Sequence, residues 1–394
     1  MVRFGTGSVI GGRVSLMIDP KLLSELTACR DVVIVSATNG KTTTTKLLTS
    51  ALGADRPVVS NWLGANMTPG IVAALGASNA TDTAVLEVDE RWVEPVLRAT
   101  NAGTVLLLNL SRDQLDRTQE VRKLAEQWRR ALAASPPRVV VANADDPLVT
   151  WAALAAPLVI WVATGQEWTA DAAGCPSCSG RIDFTDSDWA CTGCALRRPS
   201  IDVVVDDTAI SIDDHRFTGG LALPGRVNRV NAAFALAAAS SMGANPERAF
   251  DALDDVSEVA GRYRVAELDG TRIRLLLAKN PAGWHEALEL LQGPSTPFVI
   301  AINARIADGH DPSWLWDVDY ERVGDRLVVA IGERRHDLAV RFRYGNIDHR
   351  VAPDLESALE IVRRSPAFDP NQPVDIASNY TAFQDHLERV GGVL

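Results

Sequence analysis

Short β-branched runs alternate with helix-like segments along the chain, and this alternation limits the fold more than any other feature of the sequence. The runs in the first part of the chain are DVVIVSA (31–37), TAVLEV (83–88), TVLLLNL (104–110), RVVVAN (138–143) and PLVIWVA (157–163). Helix-like segments lie between them, such as residues 42–52 and 119–134. Near-continuous β-branched strands separated by helices predict a parallel sheet with helices on both faces. We therefore predict an α/β fold.

The alternation stops and later resumes, which divides the chain. Residues 172–200 are rich in cysteine, glycine and short polar stretches, and helices are predicted over 228–241 and 245–253. A second alternation follows, with strand-like runs at 272–278, 297–303, 326–332 and 374–378 and helices at 283–292 and 354–364. A chain of 394 residues exceeds one ordinary core. We place a boundary near residues 255–265 and predict two domains, 1–260 and 261–394, with residues 172–200 inserted in the first.

The net charge of the chain limits the classes of macromolecule that it is expected to bind. The formal net charge of −11 and the pI near 5.1 argue against a nucleic-acid partner or an anionic membrane surface, while leaving room for a local patch. The segment MVRFGTGSVIGG lacks the continuous apolar region of a signal peptide. The longest apolar run, near residues 152–163, contains Pro157 and is too short to cross a bilayer. We therefore expect a cytoplasmic protein without a transmembrane segment.

The segment VSATNGKTT, residues 35–43, follows a predicted strand and opens a predicted helix. Phosphate-binding loops have this context, because loop and helix N-terminal amides point at phosphate oxygens. Lys41 would place a cation at the β- and γ-phosphates, and the Thr42 hydroxyl would coordinate Mg²⁺. The first glycine of the general pattern is absent, since Val35 stands there. A merely polar turn is the alternative, and it leaves a Gly-Lys-Thr unexplained in a chain with only five lysines. The predicted nucleotide contacts are Thr38, Asn39, Gly40, Lys41, Thr42 and Thr43.

The ATNGKTT form of this loop resembles that of the Mur ligase and folylpolyglutamate synthetase superfamily. Further segments match in the order of that family: LEVDE (86–90), NADDP (143–147), GRVNRVNAA (225–233) and Gly261-Arg262. The resemblance implies that ATP is the nucleotide and that Glu87 binds magnesium. It also implies that Asn228 and Asn231 lie at the adenine and that Arg262 reaches the nucleotide. Each motif alone is weak, since an asparagine before an alanine-rich helix is usually an N-cap. The resemblance to this superfamily is supported by the order in which the motifs follow one another along the chain.

The sequence departs from the amino-acid-adding ligases of this superfamily in several places. In residues 113–116, DQLD, Gln114 stands where a metal-ligating histidine is usual. No lysine lies between Lys123 and Lys279 that could be carbamylated to hold a second magnesium. Residues 276–281, LLAKNP, lack the aspartate that contacts ribose. We therefore expect one magnesium rather than two. Because the phosphate loop begins by residue 36, we also expect no separate UDP-binding domain before it.

Four cysteines form a paired CxxC pattern: Cys175, Cys178, Cys191 and Cys194. Two such knuckles present four thiolates, the tetrahedral set of a structural Zn²⁺ site, and leave no open position for catalysis. Disulfides are one alternative, which the lack of export signals disfavours. Redox chemistry is another, although it does not require two matched knuckles. The fifth cysteine, Cys29, is expected to be a buried small apolar residue.

The last third of the chain resembles the MurT family, the Mur ligase-type synthetase subunits of lipid II isoglutaminyl synthase. The matching segments are KNPAG (279–283) and ADGHDPSWLWD (307–317), with Ala304 as a discrepancy where the family is expected to carry aspartate. The resemblance implies a Mur ligase-like central ATP-binding domain with an inserted zinc ribbon, then a smaller Rossmann-like C-terminal domain. It also implies ATP-dependent amidation of the D-glutamate α-carboxylate in the lipid II stem peptide, through an acyl phosphate. Lys41 and Glu87 would serve that phosphoryl transfer.

The source of ammonia implies a partner. Release of ammonia from glutamine normally uses a cysteine activated by histidine, and here Cys29 precedes a strand while the other four cysteines suit zinc. A separate glutamine amidotransferase subunit, GatD in the resembled complex, is therefore implied, as a 1:1 heterodimer. The resemblance also implies an aspartate that completes the partner's Cys-His pair, for which Asp311 is the first candidate and Asp308 the second. The alternative is that residues 308–311, DGHD, form a polar turn and that Trp314 and Trp316 lie in the core.

Two rival functions stay open at this point. One is a stand-alone ligase that joins an amino acid to a small acid, as in folylpolyglutamate synthesis, which turnover without glutamine would favour. The other is a non-catalytic ATP-binding scaffold, in which the lost metal ligands mean lost chemistry. The retained Lys41, Thr42 and Glu87 argue against the second rival.

Overall fold

The predicted alternation of strands and helices is present in both halves of the chain, in two compact units. The computed structural model describes residues 8–61, 65–78, 82–112, 121–257, 263–291 and 296–391. The first unit comprises residues 1–111 with 119–257, and the second comprises residues 112–118 with 258–394.

The first unit contains a nine-stranded sheet and a separate hairpin. Its strands are β1 (Asp31–Ser36), β2 (Val58–Ser60), β3 (Thr83–Glu87), β4 (Thr104–Leu107), β5 (Val139–Asn143), β6 (Val159–Ala163), β7 (Ile182–Phe184), β8 (Trp189–Cys191), β9 (Val203–Val205), β10 (Ala209–Ile212) and β11 (His215–Thr218). The order across the sheet is β11-β10-β9-β6-β5-β4-β1-β3-β2, and β7 pairs only with β8. Pairing is parallel from β2 to β9 and antiparallel at the β9-β10-β11 edge. The strand order reverses beside β1, and ligands of open parallel sheets bind at such a point.

Helices cover both faces of this sheet. They are α1 (Ser8–Ile18), α2 (Leu22–Thr27), α3 (Lys41–Gly53), α4 (Thr68–Gly76), α5 (Val93–Thr100), α6 (Val121–Ala134), α7 (Pro147–Ala153), α8 (Arg226–Ser241) and α9 (Pro246–Leu253). One core lies under α4 to α7, with Leu75, Val96, Trp128 and Leu148 buried in it. On the other side α3 packs against α8, whose run of buried alanines allows a close approach.

The second unit is built on a six-stranded sheet. Its strands are β12 (Tyr263–Leu268), β13 (Thr271–Leu277), β14 (Phe298–Ala301), β15 (Val328–Ile331), β16 (His349–Val351) and β17 (Val374–Ser378), in the order β12-β13-β17-β14-β15-β16. Within this sheet, only the β12-β13 pair is antiparallel among the described strands. Its helices are α10 (Pro281–Glu289), α11 (Arg335–Tyr344), α12 (Leu355–Arg363) and α13 (Tyr380–Arg389). Separate apolar clusters lie on the two faces, one around Trp284 and Phe342, the other around Leu359 and Phe383.

Several helices begin where the sequence supplies a cap. The side chains of Asp146, Asn245, Asn280 and Asp354 each accept a hydrogen bond from a first-turn amide, at the starts of α7, α9, α10 and α12. Proline follows the cap in the first three of these helices, where its missing N–H costs nothing. Among the described helices, none combines the length and the apolar character needed to cross a bilayer.

Candidate functional site

The predicted phosphate loop joins β1 to α3 and is fastened to the segment that follows β4. The Thr38 amide donates to the Asn109 carbonyl oxygen at 3.0 Å, and the Asn39 amide donates to Asn109 Oδ1 at 2.9 Å. In return Asn109 Nδ2 donates to the Asn39 carbonyl oxygen at 3.0 Å, and the Ser111 amide donates to Thr38 Oγ1 at 3.0 Å. The loop is therefore held in shape by the backbone of the segment after β4 and by the Asn109 side chain, about 70 residues away in the chain.

Gly40 is the residue that lets the loop turn into α3. Its φ of 83° is in the left-handed region, and a Cβ at this position would lie 2.7 Å from Asn231 Oδ1. Both the backbone and the close approach therefore require glycine. The same Asn231 oxygen accepts from Thr44 Oγ1 at 3.2 Å, so Asn231 contacts the loop and its helix. Asn228 lies one turn earlier on α8 and donates to the Pro224 carbonyl oxygen at 2.7 Å.

Lys41 is the first residue of α3, and its side chain is buried at the loop. Its Nζ donates to the Thr38 carbonyl oxygen at 3.2 Å and also to the Ala37 carbonyl oxygen. The ammonium forms an ion pair with Glu90 Oε2 at 3.0 Å, and the two side chains are only 8% and 11% exposed. Sequence reasoning missed Glu90, although it closes the LEVDE segment that drew attention to Glu87. Because little water reaches this pair, the Lys41 ammonium and the Glu90 carboxylate each compensate the charge of the other.

Glu87 ends β3 beside β1, where its Cα pairs in register with Val35. Asn61 fixes the backbone there, because its Oδ1 accepts from the Glu87 amide at 2.7 Å and its Nδ2 donates to the Glu87 carbonyl oxygen at 2.8 Å. Glu87 is 2% exposed, and its Oε2 has no hydrogen-bond partner among the described residues. A buried carboxylate oxygen without a donor is costly unless a cation compensates it. Oxygen ligands of this type suit Mg²⁺, and Thr42 is the second residue of α3, which packs on β3.

The NADDP turn supports the loop indirectly. Asp146 caps α7 by accepting from the Leu148 and Val149 amides, and its Oδ2 accepts from the Leu110 amide at 2.9 Å, next to the segment that holds the loop. Burial raises the pKa of Asp146 to about 6, against these three hydrogen bonds, which lower it. The turn thus ties the end of β5 to the end of β4. Residues 113–116 and Arg262 lie outside the described residues.

The four predicted zinc ligands come together around the β7-β8 hairpin. Their sulfur atoms all lie within 4.8 Å of one another, with 3.6 Å between Cys175 and Cys194 and 3.4 Å between Cys178 and Cys191. A tetrahedral zinc with bonds of about 2.3 Å would separate its sulfurs by about 3.8 Å, whereas a disulfide needs about 2.05 Å. The residues present therefore fit zinc. Cys29 is exposed, so the prediction that it is buried is wrong.

Glycine amides also face the thiolates. The amide of Gly180 donates to Cys178 Sγ at 3.4 Å, and the amide of Gly193 donates to Cys191 Sγ at 3.3 Å. The Gly193 amide lowers the pKa of the Cys191 thiol to about 7. Such amides stabilise the negative charge that a metal-bound sulfur retains.

The cysteine hairpin is attached to the NADDP turn. Trp189 of β8 is buried, and its Nε1 donates to the Ala144 carbonyl oxygen at 2.8 Å. Arg198 Nε pairs with Asp145 Oδ1 at 2.6 Å, with both side chains largely buried. The two contacts fix the hairpin to the end of β5 rather than leaving it as an independent appendage.

Asp308 and Asp311 have different surroundings in the second unit. Both carboxylate oxygens of Asp308 are engaged, because Oδ1 accepts from the Thr381 amide at 2.9 Å and Oδ2 accepts from the Thr381 hydroxyl at the start of α13. Asp311 is exposed, and its Oδ1 accepts from the Ser313 amide at 2.9 Å, which lowers its pKa. Trp314 is buried, but Trp316 is 54% exposed. Of the two predicted aspartates, Asp311 presents its carboxylate at the surface.

Comparison with known proteins gives matches along both halves of the chain. The family model of the Mur ligase middle domain matches residues 35–239, which include the phosphate loop, Glu87 and the four clustered cysteines. The family model named MurT ligase C-terminal matches residues 277–383, which include Asp308 and Asp311.

Individual relatives extend over nearly the full length. Lipid II isoglutaminyl synthase (glutamine-hydrolyzing) subunit MurT of Streptococcus pneumoniae is 29% identical, over 98% of this chain and 93% of that protein. A pseudomurein peptide ligase type C from Methanothermus fervidus has a TM-score of 0.71 at 17% identity, covering 92% of this chain and 78% of that one. Folylpolyglutamate synthase of Mycobacterium tuberculosis, solved with ADP, has a TM-score of 0.60 at 16% identity, covering 97% and 94%. The predicted Mur ligase-like α/β fold is confirmed.

Proposed function

Because the chain belongs to the Mur ligase family, we propose that it amidates the α-carboxylate of D-glutamate in the lipid II stem peptide, using ATP and giving D-isoglutamine. The observation that carries the proposal is a buried carboxylate oxygen of Glu87, without a hydrogen-bond partner among the described residues, at the strand end beside the loop that carries Gly40 and Lys41. The choice of substrate rests on the pneumococcal relative and on the MurT ligase C-terminal match over residues 277–383. We further propose a domain division at 1–260 and 261–394.

The chemistry proceeds in two steps. An oxygen of the substrate carboxylate attacks the γ-phosphorus of ATP, ADP leaves, and an acyl phosphate forms. Ammonia then attacks the carbonyl carbon, inorganic phosphate leaves with the C–O bond electrons, and the nitrogen loses a proton. A carboxylate is a poor electrophile, so the first step supplies the leaving group that the second step needs.

Within the loop from Thr38 to Thr43, the amides of Gly40 to Thr43 would bind the phosphates, because the Thr38 and Asn39 amides already donate to Asn109 and hold the loop in shape. Lys41 would leave Glu90 in part to share its charge with the transferring phosphoryl group, which gains stabilisation as the transition state spreads negative charge over its oxygens. Thr42 and Glu87 would hold Mg²⁺, which neutralises phosphate charge when it is bound. Asn228, Asn231 and Arg262 would contact the rest of the nucleotide. Support for ATP comes from the ADP complex of the mycobacterial structural neighbour.

Ammonia would come from a separate glutaminase subunit of the GatD type, in the cytoplasm. The described cysteines offer no nucleophile paired with histidine that could release ammonia from glutamine, because four lie in one cluster and Cys29 is exposed just before β1. The pneumococcal relative is itself named a subunit. Asp311 would complete the partner's Cys-His pair, because its exposed carboxylate could accept a hydrogen bond from a histidine of another chain.

Reconstitution tests the function directly. The chain, a GatD-type glutaminase, lipid II, ATP and glutamine should together yield lipid II with a carboxamide in place of one carboxylate, detected by mass spectrometry, with one ADP released for each product. Addition of an amino acid without glutamine would instead indicate a stand-alone ligase. Nucleotide binding without turnover under all conditions would indicate a non-catalytic scaffold.

We also propose that the four clustered cysteines form a structural zinc ribbon. The chain purified without chelator should contain one zinc, and Cys178→Ser should lose it and expose residues 172–200 to protease, because structural zinc binding is itself folding free energy. Cys29→Ser is the matched control and should keep the metal, since Cys29 lies outside the cluster. Elemental analysis that finds no zinc in the unmodified chain would contradict the proposal.

A further inference from the structure

Helix α1 presents an apolar stripe to solvent. Its side chains at Ile10, Val14, Met17 and Ile18 are 74%, 51%, 84% and 81% exposed. With 3.6 residues in each turn, these four positions fall on one side of the helix. Single exposed apolar side chains are ordinary, but four along one short helix are not.

The helix cannot rotate to bury this stripe, because its opposite face is already fixed. Gly12 is buried against α4, where an added Cβ would lie 1.8 Å from the Pro69 carbonyl oxygen. Leu16, on the same inward side, packs against the core of the first unit. The stripe is thus an outward face held rigidly by a close helix–helix contact.

The charge around the stripe differs from that of the whole chain. Helix α1 contains Arg13 and no acidic residue, whereas the chain carries a formal net charge of −11. Arg13 is exposed beside the stripe. An exposed arginine beside an apolar stripe suits a helix that lies in the interface of an anionic bilayer.

The small size of the stripe argues against a protein occupant. A helix of 11 residues is about 16 Å long and about 10 Å wide, whereas a stable protein interface buries about 800 Å² on each partner. The same 11 residues are also too few to span a bilayer. A bilayer surface needs only shallow insertion of a few apolar side chains.

We propose that α1 is a membrane-surface helix that inserts Ile10, Val14, Met17 and Ile18 into the interface of an anionic bilayer. This inference rests on the proposed function, because a lipid-linked substrate lies at such a surface. Binding through α1 alone should be weak and reversible, since stable attachment takes a second contact. The bound lipid-linked substrate would supply that contact.

Vesicle sedimentation tests the proposal with the full chain. Vesicles of equal parts phosphatidylcholine and phosphatidylglycerol, without substrate, should bind the unmodified chain, and the double variant Ile10→Glu, Met17→Glu should bind about tenfold or more weakly. The double variant Leu154→Glu, Leu158→Glu is the matched control, because it places the same two charges at other exposed apolar side chains of the first unit and should bind like the unmodified chain. Pure phosphatidylcholine vesicles should bind the unmodified chain less well than the anionic mixture.

Three outcomes would overturn the inference. They are equal vesicle binding by the double variant, no binding by the unmodified chain, and loss in the double variant of a dimer or of the glutaminase complex that the unmodified chain forms. Circular dichroism of the double variant should be unchanged, since the replaced side chains are outside the core. Because the vesicles contain no substrate, failure of amidation alongside intact vesicle binding would count against the proposed function alone.

Discussion

Replacing Lys41 with alanine is expected to lower the rate of ATP-dependent amidation by about two to three orders of magnitude, without unfolding the first unit. Phosphoryl transfer depends mainly on electrostatic stabilisation of the transferring group, and the Lys41 ammonium is the cation that the loop presents. The alanine variant should keep its far-UV circular dichroism, because alanine is a good helix former at the start of α3. ADP release with ammonium as nitrogen source is the measurement.

Two further variants make this result specific. Glu87→Gln keeps the shape of the side chain but removes its charge, so it should cause a comparable loss if Glu87 holds Mg²⁺. Lys46→Ala removes a lysine from the same helix outside the loop and should leave the rate within about twofold. Full activity in either Lys41→Ala or Glu87→Gln would remove that residue from the proposed mechanism. Adding more Mg²⁺ should not restore Lys41→Ala.

Asp311→Asn should abolish most of the glutamine-driven reaction, by about two orders of magnitude or more, and spare the reaction driven by free ammonium. An aspartate that orients a histidine fixes its tautomer and stabilises its charged form, which matters only while ammonia is being released from glutamine. The phosphate loop lies in the other unit and keeps its own contacts. Parallel assays of the assembled pair with the two nitrogen sources give the ratio directly.

Asp308→Asn serves as the internal comparison. Both Asp308 oxygens bind Thr381 at the start of α13, so this change should cost stability of about 1 kcal/mol and affect both nitrogen sources equally. Equal losses with both sources in Asp311→Asn would place that residue at the synthetase site or in the fold. A glutamine-specific loss confined to Asp308→Asn would move the role three residues upstream.

Strands and helices that are determined by residues near one another in sequence could be predicted from the sequence. Buried strands such as Val139–Asn143 follow from β-branched runs, and α8 follows from its alanines, with ends that lie within two residues of those predicted. The phosphate loop could be predicted because such a loop requires adjacent glycine and lysine residues between a strand and a helix, as at Gly40 and Lys41. The antiparallel edge β9–β11 was not predicted, since its strands have only three or four residues each.

The contacts that support the site could not be predicted from the sequence, because they join residues that are far apart along the chain. Asn61 holds Glu87 across 26 residues of sequence, and Glu90 reaches Lys41 across 49. The hairpin contact of Arg198 with Asp145 spans 53. Such pairs are set by how strands and helices pack, and any of these polar residues could equally have faced solvent. The separation of Asp308 from Asp311 likewise depends on the position of α13, which nothing in residues 307–317 specifies.

Residues 164–202 join the neighbouring parallel strands β6 and β9 without an α-helix. A helix in that place would form within microseconds from its own hydrogen bonds. The hairpin that stands there has a small apolar cluster of five buried residues: Cys175, Ile182, Trp189, Cys191 and Leu196. Closing so long a connection costs chain entropy before its contacts repay it. In kinetic terms, β9, β10 and β11 should therefore join the sheet late, at a pace that the proposed zinc ribbon would make dependent on metal supply during synthesis.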